Sequence, residues 1–478
     1  MKKNIAIVSA SLLISLCVQA QNEVDALRYS QLSFSGTTRF TSMGGAFGAL
    51  GGDISSLSFN PAGIGIYRKG EFTISPGMID SKTTSTYNGT QGVDNHMNVY
   101  LNNCGMVMSF MYGGEMNKPG WRGTMLGISY NRTNNFNNRL TVKGKNDKSS
   151  LIDVFSASAA GVDTADLDPF GSQLAYSTGL ITSSSPGTYN SVLNSYGNTQ
   201  QKDVDSRGYM GETAITLGGN YSDKLFLGAT FAFPNLRYSE NSTYTETIEN
   251  DSLNTLKSFS YDQNLTTKGT GFNFKFGMIY KPVDWIRIGG AVHTPTYFDL
   301  HDSWSSSMKA TFDTVNYEAT SPNGDFDYNL TTPMRAIGSL GFVIMKMGMV
   351  GVDYEFVDYS SSSLSSSSFK YFDENTAIRD KYTSASNIRV GTEWRLAPLS
   401  LRAGYALYGS PYRSGINDGS RTSYSAGLGF REENFFIDFG YVYTVSSEKY
   451  YMYDPMIINA ADTKTAGSSY MMTLGIRF

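Results

Sequence analysis

The sequence contains little cysteine and few charges. Its 478 residues include two cysteines, Cys17 and Cys104, and Cys17 falls in a segment that we expect to be removed. One remaining cysteine excludes an internal disulfide and a cysteine metal cluster. Charged residues make up 17% of the chain and the net charge is -4, whereas soluble domains average about 25% charged residues. This charge balance gives no reason to expect a nucleic-acid partner.

Histidine is scarce as well. The three histidines, His96, His293 and His301, lack the His-Glu-x-x-His spacing of a zinc site. Serine is so abundant that no single serine can be singled out as a nucleophile beside one of them. We therefore expect no enzyme activity, no metal and no cofactor.

Long apolar runs are missing beyond the first twenty residues. Lys2 and Lys3 precede a short apolar stretch, and the segment Val18-Gln19-Ala20 offers the small residues at which signal peptidase cuts. This pattern predicts a secretory signal peptide over residues 1–20. No later stretch approaches the roughly 18 apolar residues of a membrane helix. The secreted protein is therefore either soluble or a membrane β-barrel.

The sequence is rich in aromatic residues that alternate with polar ones. The C-terminal segment "SSYMMTLGIRF" places Tyr470, Leu474 and Phe478 on one face and Thr473 and Arg477 on the other. This period of two predicts a strand, and a soluble edge strand is the alternative. Similar segments occur upstream. In a membrane barrel the apolar face meets lipid and the charged face lines the lumen.

Fourteen such strands can be placed along the chain, with connections that alternate between short and long. Short periplasmic turns, long external loops and an even strand number are typical of outer-membrane barrels. We therefore predict an all-β fold, a transmembrane antiparallel β-barrel of about 14 strands over residues 72–478. The strands are predicted at 72–86, 97–110, 121–136, 208–220, 224–238, 268–281, 284–297, 332–345, 348–360, 387–396, 399–409, 422–431, 435–446 and 468–478.

The longest predicted external loop covers residues 137–207. Two segments within it, "SSLIDVFSASAAG" and "FGSQLAYSTGLI", are predicted to form short helices. Loops of this length usually carry function or are disordered. The loop would either capture an apolar ligand at the barrel mouth or form a lid that packs on itself.

Residues 21–71 precede the first strand and do not alternate. The stretch "GGAFGALGGDISSLSFNPAGIG" is rich in glycine, but it lacks the Gly-Lys-Ser/Thr of a phosphate-binding loop. It contains too many apolar residues for a linker. Asp53 is expected to cap a short helix that follows it, and Pro61 to fix a turn at Asn60. We interpret this segment as a plug, or hatch, inside the barrel lumen.

The glycine-rich stretch and the terminal strand together resemble the FadL/TodX-type family of outer-membrane transporters of long-chain fatty acids and other hydrophobic compounds. The hatch of this family carries an Asn-Pro-Ala motif, which falls on Asn60, Pro61 and Ala62, followed here by Gly63. The resemblance implies passive transport without ATP from the external loops to a lumen site. It also implies a lateral exit at an inward kink of the third strand, where Gly123 and Gly127 are candidates for the kink.

Several arginines face the predicted lumen near the short-turn end of their strands, namely Arg287, Arg395, Arg402, Arg431 and Arg477. They would either bind the carboxylate of a fatty acid or pair with wall and hatch acids such as Glu393, Asp438, Asp53 and Glu71. The second interpretation is favoured.

The expected function is passive transport of small, fatty-acid-like hydrophobic molecules by a monomer in the Gram-negative outer membrane, in contact with its lipid, after signal-peptide cleavage. Two alternatives stay open. In the first, the barrel binds, anchors or shuttles surface proteins during secretion. In the second, it is a haem-binding receptor.

Overall fold

A computed structural model of the protein describes residues 22–33, 35–112, 119–249, 255–345 and 347–478. The predicted signal peptide, residues 1–20, lies outside the described residues. Within the described residues no helix has the length and apolar character needed to cross a bilayer.

Antiparallel strands form the wall, which closes because the first strand pairs with both the second and the last. Over the described residues it has fourteen strand positions, as predicted, and three of these are occupied by two strands in line. The strands of the wall are β1 (Glu71–Tyr87), β2 (Thr90–Met111), β3 (Trp121–Asn135) with β4 (Asn138–Asn146), β7 (Asn198–Tyr221), β8 (Leu225–Thr247), β9 (Leu256–Val283), β10 (Ile286–His293) with β11 (Tyr297–Phe312), β13 (Gly324–Thr331) with β14 (Arg335–Ile344), β15 (Gly348–Asp358), β17 (Ser384–Leu396), β18 (Leu399–Tyr408), β19 (Arg421–Arg431), β20 (Phe435–Tyr450) and β21 (Ala461–Arg477).

The remaining elements lie before the wall or in its long connections. They are the helices α1 (Glu23–Ser30), α2 (Thr38–Ser42), α3 (Leu151–Ala159), α4 (Ser172–Ser177) and α5 (Phe372–Lys381), the strands β5 (Ile181–Ser185), β6 (Thr188–Ser191), β12 (Asn316–Thr320) and β16 (Ser363–Ser365), and the 3-10 helices Ile54–Ser58, Pro61–Ile66 and Tyr359–Ser361.

The wall is turned inside out compared with a soluble sandwich. On β17 the side chains of Ile388 and Trp394 are 41% and 42% exposed, whereas Arg389 and Glu393 are each 1% exposed. A barrel surrounded by lipid requires this arrangement, with apolar side chains outside and charged side chains inside. The alternation seen in the sequence is therefore that of a membrane wall.

Several strands extend well beyond the bilayer at the end of the long connections. Strands β7, β8 and β9 have 24, 23 and 28 residues, although about 9–11 residues suffice to cross the hydrocarbon core. The predicted loops 239–267 and 298–331 are therefore largely strand. Inward and outward side chains continue to alternate in these regions, but the outward ones are polar. A pattern of apolar outward residues therefore does not predict these parts of the strands.

The long connection after the third strand position folds into a cap. It contains β4, α3, α4 and the β5–β6 hairpin, and the two helices occur where the sequence predicts them. Apolar residues such as Ile152 and Phe155 are buried in one cluster with Tyr244 and Phe259 from the extended strands. The cap thus packs on itself and on the wall, as expected of a lid.

Residues 22–70 lie within the lumen, and we call them the hatch: α1 packs towards the long connections, whereas residues 37–70 fill the short-turn end. Wall glycines let its backbone approach: a Cβ on Gly289, Gly351 or Gly391 would overlap a carbonyl oxygen of Gly48, Ala46 or Met43, respectively. Gly44 of the hatch needs both its positive φ of 62° and its lack of a side chain, because it touches the backbone of β18.

This close approach makes a paired test possible. We expect Gly391→Leu to unseat the hatch and to lower the free energy of unfolding by about 1–3 kcal/mol, since the added side chain occupies the place of Met43. Ion conductance in planar bilayers should rise.

The matched control is Gly338→Leu on the outer face of β14, where a Cβ would meet no atom within 4 Å. This variant should conduct like the parent protein. Equal conductance of the two variants would contradict the proposed seat of the hatch.

Candidate functional site

The hatch packs against the wall through several apolar clusters, two of which are the main ones towards the short-turn end. Phe40, Met43, Phe47 and Leu50 are buried together with wall residues of β10 and β14. Ile54, Leu57, Ile64 and Tyr67 form the second cluster with residues of β2, β3 and β7. Because both clusters contain wall side chains, the hatch has one seat in the lumen.

The Asn-Pro-Ala turn joins two parts of the hatch to the wall. The Asn60 side chain accepts a hydrogen bond from the amide of Ala62 at 3.1 Å, which caps the 3-10 helix Pro61–Ile66. Its amide group donates to the carbonyl of Gly48 and, at 3.4 Å, to the carbonyl of Met278 in β9. Asn60 is fully buried. It therefore holds the turn, the glycine-rich loop and the wall in one arrangement.

Asp53 and Gly63 stabilise the hatch from within. Asp53 accepts from the amide of Ser55 at 3.0 Å, as the cap of the 3-10 helix Ile54–Ser58, and from the hydroxyl of Thr37 at 2.8 Å. The carbonyl of Gly63 accepts from the amide of Gly52 at 3.0 Å. Neither residue faces the open part of the lumen, so both act on the shape of the hatch.

Glu393 on β17 is the charged centre that fastens the hatch to the wall. Its carboxylate lies 2.6 Å from Arg39 of α2, 2.8 Å from Arg402 and 2.9 Å from Arg395. Burial, the largest single effect, lowers the pKa of the Arg39 guanidinium, but the carboxylates of Glu393, Asp53 and Asp438 together raise it by more, so that Arg39 stays charged. Arg402 also pairs with Asp438 at 2.7 Å.

The five arginines expected at the lumen all have partners at the short-turn end. Arg395 and Arg402 belong to the Glu393 network. Arg287 donates to the carbonyl of Leu50, Arg431 lies over the ring of Phe436 at 4.8 Å, and Arg477 pairs with Glu71 at 2.9 Å. Arg395, Arg402 and Arg477 thus pair with the expected acids, whereas Arg287 and Arg431 have a carbonyl oxygen and an aromatic ring as partners.

A cavity of about 530 Å³ lies above the Glu393 network, towards the long connections, and Arg28, Ser33 and Thr41 of the hatch form part of its lining. Serine, threonine and asparagine provide much of its lining, together with five aromatic rings, from Tyr100, Phe136, Tyr238, Tyr408 and Tyr450. The carboxylates Glu240 and Glu448 also reach it. The cavity therefore offers polar groups and flat aromatic faces rather than a purely apolar surface.

Three further arginines, none of them found by the sequence analysis, line this cavity. Arg28 pairs with Asp25, and Arg421 donates to the hydroxyl of Ser33 at 3.0 Å. Arg132, 8% exposed, lies 4.8 Å from the ring centre of Tyr100. Within the described residues it has no carboxylate at ion-pair distance, and it donates to the carbonyl of Gly208 at 3.3 Å.

The wall is interrupted beside Arg132. Strand β3 ends at Asn135 and β4 begins at Asn138, with a register shift between Arg132 and Asn134. Strand β2 pairs with β3 only from Asn103 onward, so over the described residues the edge of 90–102 has a partner on the β1 side alone.

Strand β4 stays paired with β7 but is turned inward from the line of β3, onto the inner face of the first two strands. Thr83 of β1 donates to the side chain of Asn138 at 2.8 Å, and Asn88 donates to the carbonyl of Lys145 at 2.8 Å. This displacement leaves a lateral gap in the wall between the edge of β2 and the end of β3.

The two glycines proposed for a kink of the third strand lie elsewhere. Gly127 is inside the regular part of β3, where it makes room for Leu57 and Ile64 of the hatch, and Gly123 is near the start of that strand. A register shift also lies beside Gly123, between Trp121 and Gly123, and an inward kink at either glycine stays a prediction. The strand breaks in the asparagine-rich stretch "NRTNNFNN" (131–138), because asparagine side chains satisfy local backbone groups outside regular pairing. The run of asparagines was the sequence feature that could have predicted this break.

Fold and hatch define a plugged outer-membrane-type barrel. The chain belongs to the outer membrane protein transport protein family (OMPP1/FadL/TodX), whose model matches residues 205–478. A search of curated proteins finds no match.

Solved structures share the fold at low sequence identity. A FadL homologue of Pseudomonas aeruginosa is 14% identical, with 94% of this chain and 100% of that chain covered and a TM-score of 0.59. The toluene transporter TodX of Pseudomonas putida is 12% identical, with 94% and 100% covered and a TM-score of 0.54. The toluene transporter TbuX of Ralstonia pickettii is 15% identical, with 93% and 98% covered and a TM-score of 0.51.

The Glu393 network yields a stability prediction. Glu393→Gln keeps the shape of the side chain but leaves Arg39 and Arg395 without their carboxylate. We expect the free energy of unfolding to fall by about 3 kcal/mol, as for other broken buried pairs.

The temperature at which the folded band is lost on a detergent gel would report this change. Glu433→Gln, in the exposed turn after β19, removes the same charge outside the network and should leave that temperature unchanged. Equal temperatures for the two variants would show that the network does not fasten the hatch.

Proposed function

We propose that the protein is a passive outer-membrane channel for amphipathic, fatty-acid-like molecules. The ligand enters from the external mouth, occupies the cavity above the Glu393 network and leaves sideways through the gap beside Arg132. The observation that carries this proposal is a buried guanidinium without a carboxylate partner among the described residues, at the place where the cavity meets the gap.

The chemistry of the cavity supports a ligand with an anionic head group. Arg132 lies between the rings of Tyr100 and Tyr209, at 4.8 and 5.2 Å, and a guanidinium held in this way presents its N–H groups in a plane that matches a carboxylate. Aromatic faces and Leu140 lie around it for an apolar chain. The toluene transporters of the same fold therefore need not share this head-group site.

The gap supports a sideways exit. An apolar chain that leaves through the wall enters the bilayer directly and avoids the charged network below the cavity. The hatch fills the lumen towards the short-turn end, so the gap is the less obstructed path. No energy source is needed, because transfer of an apolar chain from water to lipid is favourable.

Arg132→Gln tests the head-group site. We expect uptake of labelled long-chain fatty acid by cells to fall roughly tenfold, which is the loss typical of one hydrogen bond to a charged group. Uptake of the uncharged methyl ester should stay at the parent level, because the ester does not depend on the positive charge.

Arg207→Gln is the matched control, since Arg207 is exposed on the outer face of β7 and pairs with Asp205 there. It should not change the uptake of either compound. An equal loss for acid and ester in the Arg132 variant would refute the anionic head group while leaving transport itself open.

Asn60→Ala tests whether the hatch sets the route. Loss of three hydrogen bonds should let the Asn-Pro-Ala turn shift, so that fatty-acid uptake falls several-fold while the amount of folded protein in the membrane is unchanged. Asn264→Ala, on the exposed outer face of β9, is the control. Normal uptake by the Asn60 variant would exclude a role of this turn in transport.

A further inference from the structure

A row of five side chains crosses the outer face of five neighbouring strands, each directly opposite the next. The register pairs Tyr209 of β7 with Arg237 of β8, Arg237 with Lys268 of β9, Lys268 with His301 of β11, and His301 with Asp327 of β13. The last four of these residues are exposed. We call this set the outer row. Tyr209 also borders the lumen route, beside Arg132, whereas the other four residues face the outside.

Two cations stand directly opposite each other in the outer row. Arg237 and Lys268 are cross-strand partners, and like charges at such positions destabilise a sheet. The neighbours two residues away on the same face are uncharged: Asn235, Ser239, Thr266 and Thr270. Among the described residues neither cation has a carboxylate at ion-pair distance. An anion from outside the chain would remove this repulsion.

The acidic groups nearby are already engaged. Asp327 lies 2.7 Å from the Nδ1 atom of His301, and Asp299, diagonal to Lys268, accepts a hydrogen bond from Asn329. The two cations at the centre of the row therefore stay available to a ligand.

The two cations of the outer row lie at the level of the lipid head groups. Phe233 and Phe272 are outward and 47% and 43% exposed, and Arg237 and Lys268 follow them by four positions towards the long connections. Four residues of a tilted strand rise about 10 Å. Head groups occupy the layer directly outside the hydrocarbon core, so the cations lie beside them.

The outer row lies in a shallow groove of about 820 Å³. Ser366 and Ser367, from the connection between β15 and β17, border the groove on one side. Below it Phe231, Phe233, Phe272 and Phe274 form a continuous aromatic patch on the wall, with ring centres 5.3–6.4 Å apart. Polar groups above an exposed aromatic patch match a molecule with a charged head and apolar tails.

We propose that the outer row binds the phosphate group of an anionic lipid of the outer leaflet, with Arg237 and Lys268 on the phosphate and the lipid's acyl chains on the aromatic patch. Phosphate accepts hydrogen bonds from both kinds of cation. A free phosphate ion has the same chemistry at the head but would gain nothing from the four phenylalanines, which is why the lipid is the favoured source.

The test compares two double variants in vesicles of phosphatidylcholine with and without phosphatidic acid. Arg237→Gln with Lys268→Gln removes the row's cations. Lys82→Gln with Lys464→Gln removes two exposed cations from β1 and β21, where Asp80 and Asp462 stand two residues away on the same face. Retained phosphatidic acid is measured by native mass spectrometry, and detergent-gel migration verifies that each variant is folded.

We expect affinity for phosphatidic acid to fall roughly thirtyfold in the row variant and less than about threefold in the control, given the usual contribution of a cation near an anionic surface. An equal fall in both variants would mean diffuse attraction, and an unchanged row variant would mean no site; either result overturns the proposal. Inorganic phosphate alone, titrated into the parent protein in neutral detergent, should not bind; binding as tight as that of the lipid would overturn the lipid assignment.

Discussion

The close approach of the hatch backbone to the wall is the constraint on which the rest of the structure depends. A barrel that shows apolar side chains to lipid must direct its charged residues inward, and these charges need partners in a lumen of limited size. Glycines such as Gly351 and Gly391 bring the hatch near enough to supply them. Arg39 then reaches Glu393, and the 530 Å³ cavity lies above this packed layer.

Much of the fold follows from the sequence because burial in a membrane wall has a simple period. Alternation in segments such as the one that ends at Phe478 predicts the fourteen strand positions, and the lack of alternation before Glu71 predicts the hatch. The partners of Arg402 and Arg477 were also among the expected ones, Glu393, Asp438 and Glu71. Short-range patterns were sufficient for these features.

The cavity could not be predicted in the same way. Arg132 becomes important because β4 leaves the wall, which depends on contacts with β1 that are some fifty residues distant in sequence. The break is marked by asparagines, and the glycines of the same strand, Gly123 and Gly127, lie outside it. The extension of the strands beyond the bilayer could not be predicted, because the outer face of these extensions is polar. For the same reason the sequence did not indicate that Arg237 and Lys268 lie on strands outside the apolar band.

The hatch also touches the seam at which the barrel closes. The hydroxyl of Thr473 on β21 lies 2.7 Å from that of Ser75 on β1 and accepts a hydrogen bond from the amide of Thr38 at 2.7 Å. The hatch, which is synthesised before either strand, is thus hydrogen-bonded to the last strand at the residue where that strand meets the first. Seating of the hatch and closure of the ring therefore reinforce each other during assembly, and an incompletely folded chain that lacks one lacks part of the driving force for the other.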